Sequence, residues 1–334
     1  MQYRSLGRTG LKVSEICLGT MTFGKQTEER EAFAIMDMAS EAGANFIDTA
    51  DIYPLGGTLE TVGRTEEIVG KWLKPRRDSF VLATKCTGPT SPDVNDRGSS
   101  RRHLMQAIDA SLRRLQTDYI DLYQMHYTDE TTPPEEIVRT LDNLVRAGKV
   151  RYIGVSNYSA WRIALMLGIA NEHGWERLAS DQPRYNICFR EIETELVPLC
   201  LHEGVAILAY NPLAGGFLTG RYRKGQEPEE GTRFTLPGAG EIYRQRYWQE
   251  AQFEAIEDLR AFFAPRKRSL AQIAIAWVLG RPGITSVILG ASRAEQLRET
   301  LPAAELELSD EELEFCDQIW YRLPRPSNPA VATR

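Results

Sequence analysis

Short apolar runs alternate with amphipathic stretches along almost the whole chain. The runs fall at 16–19, 45–48, 80–84, 119–124, 150–155, 178–182, 205–209 and 286–289. Most are apolar at nearly every position, the pattern of parallel strands covered on both faces. Between them, apolar residues recur at helical spacing over 28–42, 65–73, 100–115, 134–147, 159–173, 191–203 and 269–279, and a last stretch begins near Arg293. Boundary signals agree: Gly43 and Gly148 follow two of these stretches, and Pro134 opens another. Eight strand–helix units without a break in composition predict one α/β domain over 1–334, a (β/α)8 TIM barrel, rather than two domains.

Several segments exceed a minimal barrel. Residues 3–13 read as an N-terminal hairpin turning at Thr9 and Gly10. The loop 53–65 carries Gly56 and Gly57, and 210–248, after the seventh strand, is the longest loop, rich in Gly, Pro, Arg and Tyr. A structureless connection of that size in a compact domain is usually functional. Residues 309–320 read as an added C-terminal helix, with Ser309 as N-cap and Glu312 completing a capping box. The Pro-rich segment 324–334 is expected to lie over the surface or to be disordered.

Composition narrows the function classes. A net charge of −6 and a pI near 5.5 leave no basic footprint for nucleic acid. The short basic clusters at 74–77 and 266–268 read as solvated helix ends. No run approaches the ~18 residues of a membrane span, and the first residues lack an apolar signal core. Cys17, Cys86, Cys188, Cys200 and Cys316 are odd in number and form no Cys-x-x-Cys pair. They read as reduced thiols of a cytoplasmic protein, with neither a metal site nor a disulfide framework.

The sites of such barrels lie at the C-terminal ends of the strands. There this chain delivers Gly19, Thr20 and Met21, then Asp48, Lys85, His126, Ser156 with Asn157, Gln182, Tyr210 with Asn211, and Gly290 with Ser292. Tyr53 follows Asp48 by five residues. A tyrosine with a pKa near ~10 is a poor acid at neutral pH, and a lysine ammonium beside it favours the phenolate. Asp48 can pair with Lys85, and His126 can donate to a substrate carbonyl oxygen. Together the four can protonate an oxygen as charge builds on it. Each alone is commonly structural, but all four at strand ends of one barrel form a site constellation. His103, His173 and His202 fall in or at the ends of helical stretches and receive no role.

The chain resembles an aldo-keto reductase over nearly its whole length. The motifs carrying the resemblance are Gly19-Thr-Met-Thr-Phe-Gly24, Asn45-Phe-Ile-Asp-Thr-Ala50 with Tyr53, and Leu112-Arg-Arg-Leu-Gln-Thr-Asp-Tyr-Ile-Asp-Leu-Tyr123 before His126. To these add Gly148-Lys-Val-Arg-Tyr-Ile-Gly-Val-Ser-Asn157 and Leu208-Ala-Tyr-Asn-Pro-Leu-Ala-Gly-Gly-Phe-Leu-Thr-Gly-Arg-Tyr222. The long loop after the seventh strand is similar to the bacterial oxidoreductase and potassium-channel beta-subunit branches rather than to the aldose reductase branch.

This resemblance implies Tyr53 as general acid, Lys85 and Asp48 as its tuning pair, and His126 as the carbonyl-orienting donor. It also implies NADPH extended across the barrel mouth, where Gly19, Thr20 and Met21 meet it. Ser156, Asn157 and Gln182 then hold the carboxamide, and Tyr210 stacks on the nicotinamide. The backbone of Asn211, Pro212, Leu213, Ala214 and Gly216 and the side chains of Arg221 and Arg233 meet the pyrophosphate. The glycines at 215 and 216 let backbone approach phosphate oxygens. Gly290, Ser292, Arg293, Gln296, Glu299 and Thr300 serve the adenosine end, its 2′-phosphate at the start of the last barrel helix. Thr300 stands where the family usually has asparagine. The substrate implied is a small-molecule carbonyl compound, with walls from Met21, 53–65, Tyr127, Trp161 and 210–248. Two rivals are an NADPH-binding redox-sensing interaction subunit and a Schiff-base aldolase using Lys85.

Overall fold

Apolar residues on both faces of a strand need cover on both sides, and closing the sheet on itself inside a ring of helices supplies it. The structure, a computed structural model, describes residues 1–324; the segment 325–334, expected on the surface or disordered, lies outside them. An antiparallel hairpin of β1 (Tyr3–Ser5) and β2 (Lys12–Ser14) precedes the barrel. The barrel strands are β3 (Ile16–Gly19), β4 (Phe46–Asp48), β5 (Val81–Cys86), β6 (Ile120–Met125), β7 (Val150–Ser156), β8 (Leu178–Gln182), β9 (Ala206–Tyr210) and β10 (Ile284–Gly290). They pair in parallel and in sequence order, and β10 closes on β3.

The helices return the chain between strands: α1 (Glu29–Glu41), α2 (Arg64–Leu73), α3 (Arg101–Leu115), α4 (Pro134–Arg146), α5 (Ala160–His173) and α6 (Leu196–Glu203). After β9 come α7 (Gly240–Tyr247), α8 (Glu250–Phe263) and α9 (Leu270–Leu279), and after β10 come α10 (Ala294–Thr300) and α11 (Asp310–Arg322). No helix among the described residues is long and apolar enough to cross a membrane.

Alternation along the strands divides the core in two. Phe46, Val81, Ala83, Leu122 and Leu208 pack inside the barrel, while Ile47, Leu82, Tyr123 and Ile153 pack against the helices. Leu6 and Val13 from the hairpin region are fully buried in the inner cluster, so that end is plugged by apolar side chains. The opposite, C-terminal end is left to polar groups. The helix layer is close: a Cβ at Gly70 of α2 would meet the Arg114 carbonyl oxygen of α3 at 2.4 Å.

Two regions differ from the sequence expectation. The stretch 191–203 is a 3-10 turn over Glu191–Glu193 and then α6, because Glu195 leaves helical geometry (φ −133°) between them. The long loop is not structureless. It holds a 3-10 segment over Ala214–Thr219 and α7, and α8, which the pattern did not announce, follows directly. Phe217, Tyr222, Phe234, Trp248 and Phe253 give this region its own aromatic core, with Trp248 and Phe234 ring centres 4.8 Å apart. Near the chain's end the capping box forms as expected: Ser309 N–H donates to Glu312 Oε2 at 2.9 Å, and Glu312 N–H donates to Ser309 Oγ at 3.3 Å.

Candidate active site

Asp48 ends β4, Lys85 is the penultimate residue of β5, and His126 directly follows β6. In the register of these parallel neighbours Asp48 is opposite Ala83 and Lys85 opposite Gln124, so Lys85 and His126 each stand two residues further toward the open end of the barrel. His126 N–H donates to the Cys86 carbonyl at 2.8 Å, extending the strand ladder by one residue and fixing where the imidazole starts. Tyr53 folds back over them from the loop after β4. Its ring lies 5.7 Å from that of His126, edge to face, and 5.1 Å from Lys85 Nζ.

Beneath Tyr53 the floor is a closed hydrogen-bond network. Lys85 Nζ donates to Asp48 Oδ2 at 2.5 Å and to the Thr49 carbonyl at 2.8 Å. Asp48 Oδ1 accepts from Gln182 Nε2 at 2.9 Å and from Gln124 Nε2 at 3.1 Å. Lys85 is fully buried and Asp48 is 3% exposed. A buried ion pair is tolerable only when its remaining donors and acceptors are met, and here Gln124 and Gln182 do that. A Schiff-base role for Lys85 does not fit, because its nitrogen is buried and engaged on two oxygens.

Burial pushes the Tyr53 phenol well above its ordinary value, Asp48 and Tyr243 add to the rise, and Arg233 opposes it. The lowering expected from Lys85 is not found: burial decides the direction, and Arg233 is the cation that opposes it. Burial, and then Lys85, hold His126 well below the usual imidazole value. His126 is therefore neutral at neutral pH. Its Nδ1 is buried without a partner, which leaves Nε2 to meet the cavity.

The site opens into a cavity of about 780 Å³. Gly19, Thr20, Met21, Ser156, Asn157, Gln182, Tyr210, Asn211, Pro212, Leu213, Arg233 and Gly290 line it together with Asp48, Tyr53 and His126. In the absence of a ligand, the polar groups expected to hold a carboxamide bond one another. Tyr210 OH donates to Asn157 Oδ1 at 2.8 Å, and Asn157 Nδ2 donates to Ser156 Oγ at 2.9 Å and to the His126 carbonyl at 3.3 Å.

The remaining expected residues lie beyond that lining. Ala214 is buried in the turn that leads to Gly216 and Arg221. Gly216 has φ 96°, and a Cβ there would meet nothing nearer than Arg221 Nη2 at 3.7 Å, so the turn has open space beside a guanidinium. Ser292 and Gln296 bond each other at the start of α10, Glu299 accepts from Ser269 Oγ, and Arg293 is exposed at the N-cap. The first helical amide, that of Ala294, already donates to Glu31 Oε1 of α1 at 2.6 Å. Thr300 is buried and donates to the Gln296 carbonyl of its own helix at 2.8 Å, so its hydroxyl is turned to backbone. Trp161, expected in the cavity wall, is instead 59% exposed on α5.

Sequence reasoning missed Gln124, Tyr243 and Arg246. Gln124 had a signal, since a polar residue at an inward position of a buried strand needs a partner. Tyr243 and Arg246 had none, because their place depends on how α7 packs.

Comparison with known proteins agrees with the barrel fold. The sequence model of the Aldo/keto reductase family matches residues 15–321. The chain is 41% identical over 328 residues to the uncharacterized oxidoreductase YrpG of Bacillus subtilis (strain 168), with 96% of each chain covered. It is 36% identical to the protein tas of Escherichia coli (strain K12), over 98% of this chain and 100% of that one. It is 35% identical to a probable voltage-gated potassium channel subunit beta of Arabidopsis thaliana, over 92% of each.

Proposed function

The chain belongs to the aldo/keto reductase family, and from that premise we propose that it is a cytoplasmic, NADPH-dependent reductase of an aldehyde or ketone, with Tyr53 as the proton donor. The observation that carries this reading is the convergence of Tyr53 and His126 on one cavity above the buried Lys85–Asp48 pair. The residues present fit a dinucleotide. The turn at Gly216 leaves room beside Arg221, and neither Arg221 nor Arg233 has a carboxylate partner among the described residues. Arg221, Arg233 and the 211–216 backbone would hold the pyrophosphate; Ser156 and Asn157 would exchange their mutual bond for the carboxamide, and Gln182, its Nε2 kept on Asp48, would meet it with Oε1. Bound there, the reduced nicotinamide supplies a hydride to the carbonyl carbon.

The chain's own part is the oxygen. Neutral His126 donates from Nε2 and orients the carbonyl. Tyr53, held protonated by its raised pKa, gives its proton as negative charge builds on that oxygen. The Lys85 ammonium, 5.1 Å from the ring, then stabilises the phenolate that remains. Asp48 keeps Lys85 in place, and the two amides keep Asp48 in place.

Arg293 and Ser292 favour NADPH over NADH. The 2′-phosphate suits a guanidinium fork, and Arg293 is exposed with no carboxylate partner among the described residues. Because Glu31 holds the Ala294 amide, the preference falls to these two side chains more than to the helix end.

A second reading, an NADPH-binding interaction subunit with slight turnover, draws on the likeness to the plant channel beta subunit. A panel of aldehydes and ketones with NADPH and with NADH, followed at the reduced-nicotinamide absorbance band, separates the two. The reductase reading expects NADPH oxidation with at least one carbonyl class. Negligible turnover across the panel, with tight NADPH binding, transfers the case to the interaction subunit.

A further inference from the structure

One cation in the cavity has no task in the reaction described above. α7 turns Ile242, Tyr243 and Arg246 toward the cavity, at the i, i+1 and i+4 positions of one helical face. The helix is anchored behind them by Tyr247, whose hydroxyl accepts from Asn211 Nδ2 at 2.9 Å and Asn186 Nδ2 at 3.1 Å. Tyr243 is buried and accepts from Arg233 Nη1 at 3.3 Å. Arg246 is thus held at the mouth by a docked element.

Arg246 is exposed beside Tyr210, its charge opposes the rise that burial gives that phenol, and no described carboxylate pairs with it. Glu241, the acid on the same helix, accepts from Gln245 instead. Arg184, stacked over the Phe189 ring at 3.4 Å, adds a second positive charge near Tyr210. A phenol cannot neutralise two guanidinium groups. A concave mouth with uncompensated positive charge attracts an anion.

Position says which anion. Arg246 lies near Tyr210, whose hydroxyl bonds Asn157, which bonds the His126 carbonyl. It lines the same cavity as Tyr53 and His126, so a substrate with its carbonyl on His126 and an anionic far end can meet both. Ile52, Leu55, Leu59 and Ile242 add apolar lining to the same cavity.

We propose that Arg246 binds an oxyanion on the substrate, so that the preferred substrates are carbonyl compounds with an apolar body and a carboxylate or phosphate at the far end. This rests on the reading of the cavity as a carbonyl-reducing site with Arg221 and Arg233 committed to the cofactor.

Matched aldehydes test it: 4-carboxybenzaldehyde and 4-formylphenyl phosphate against neutral 4-formylbenzamide, with NADPH, in wild type, Arg246→Gln and Arg246→Lys. The readout is the ratio of kcat/KM for each charged aldehyde to that for the amide. Wild type should favour at least one charged aldehyde by roughly ten- to a hundredfold, mostly through KM, as a charge-assisted bond implies. The arm that responds identifies the oxyanion. Arg246→Gln should bring the ratio close to one, and Arg246→Lys should keep part of it. A wild-type preference for the amide, or a ratio unmoved by Arg246→Gln, overturns the proposal. Calorimetric titration of benzoate, phenyl phosphate and benzamide into the NADPH-loaded protein gives a readout without turnover. If no aldehyde is reduced but an anion binds more tightly than benzamide and loses that advantage in Arg246→Gln, the reductase reading fails and the anion site stands. If neither anion binds more tightly than benzamide, the anion site is wrong whatever the turnover.

Discussion

The floor of the barrel and its mouth treat charge in opposite ways. On the floor, Lys85 and Asp48 are removed from water, and their polar atoms meet each other, Thr49, Gln124 and Gln182. At the mouth, Arg221, Arg233, Arg246 and Arg293 meet no carboxylate among the described residues. A buried charge without partners is intolerable, so the floor is complete before any ligand arrives. A cation at the mouth is hydrated and waits at little cost. The lesson is a division of labour: the floor carries chemistry that any carbonyl needs, and the mouth chooses which molecule reaches it.

Removing one member of the floor breaks this division most severely. Lys85→Met leaves the Asp48 carboxylate buried with only two amide donors. Stability should fall by about 3–5 kcal/mol, and kcat by roughly 10²–10⁴-fold without rescue at higher pH. The double variant Asp48→Asn with Lys85→Met removes both charges and should regain most of the melting temperature but none of the rate. Recovery of the rate along with stability would show that the pair serves folding alone.

At the mouth the effects are smaller and selective. Arg293→Ala should weaken NADPH by roughly tenfold or more and leave NADH binding nearly unchanged. Fluorescence titration of both cofactors decides it, and equal weakening of the two, or no wild-type preference for NADPH, removes Arg293 from the 2′-phosphate.

Two acids sharpen the rule for buried charge. Asp51 and Asp181 are fully buried, and neither carboxyl group has a side-chain hydrogen-bond donor or an ion-pair partner among the described residues. Burial raises both pKa values well above the carboxylate range, so each is kept neutral instead of paired. The unfolded chain releases such a proton near pH ~4, while the folded chain holds it to higher pH. Their stabilising share is full below that pH and is lost as pH rises through the folded pKa. Asp181→Asn has no proton to lose, so its stability relative to wild type should climb between pH 4 and 8, by about 1 kcal/mol or more. Urea midpoints across that range measure it, and a pH-independent difference would mean that Asp181 is not held protonated.

Much of this was legible in the chain, for physical reasons that also set the limits. Parallel strands covered on both faces must be apolar, so the barrel strands announced themselves as runs, and residues just past the runs fell at the open end. Asp48, Lys85 and His126 were visible in this way, and Tyr53 came with the loop that Asp48 begins. The long loop was visible only as composition. Its order comes from aromatic side chains such as Phe217, Phe234 and Trp248 packing across 30 residues of intervening sequence, and no local period encodes that. Arg246 and Tyr243 took their places through this packing.

The central claim is that Tyr53 gives the proton and does nothing else that binding requires. Tyr53→Phe isolates it, because the ring and its packing against His126 and Lys85 remain. Using the carbonyl best reduced by wild type, NADPH oxidation should fall by roughly 10²–10⁴-fold, while NADPH affinity, read by fluorescence titration, stays at the wild-type value. Turnover near wild type in this variant would contradict the account.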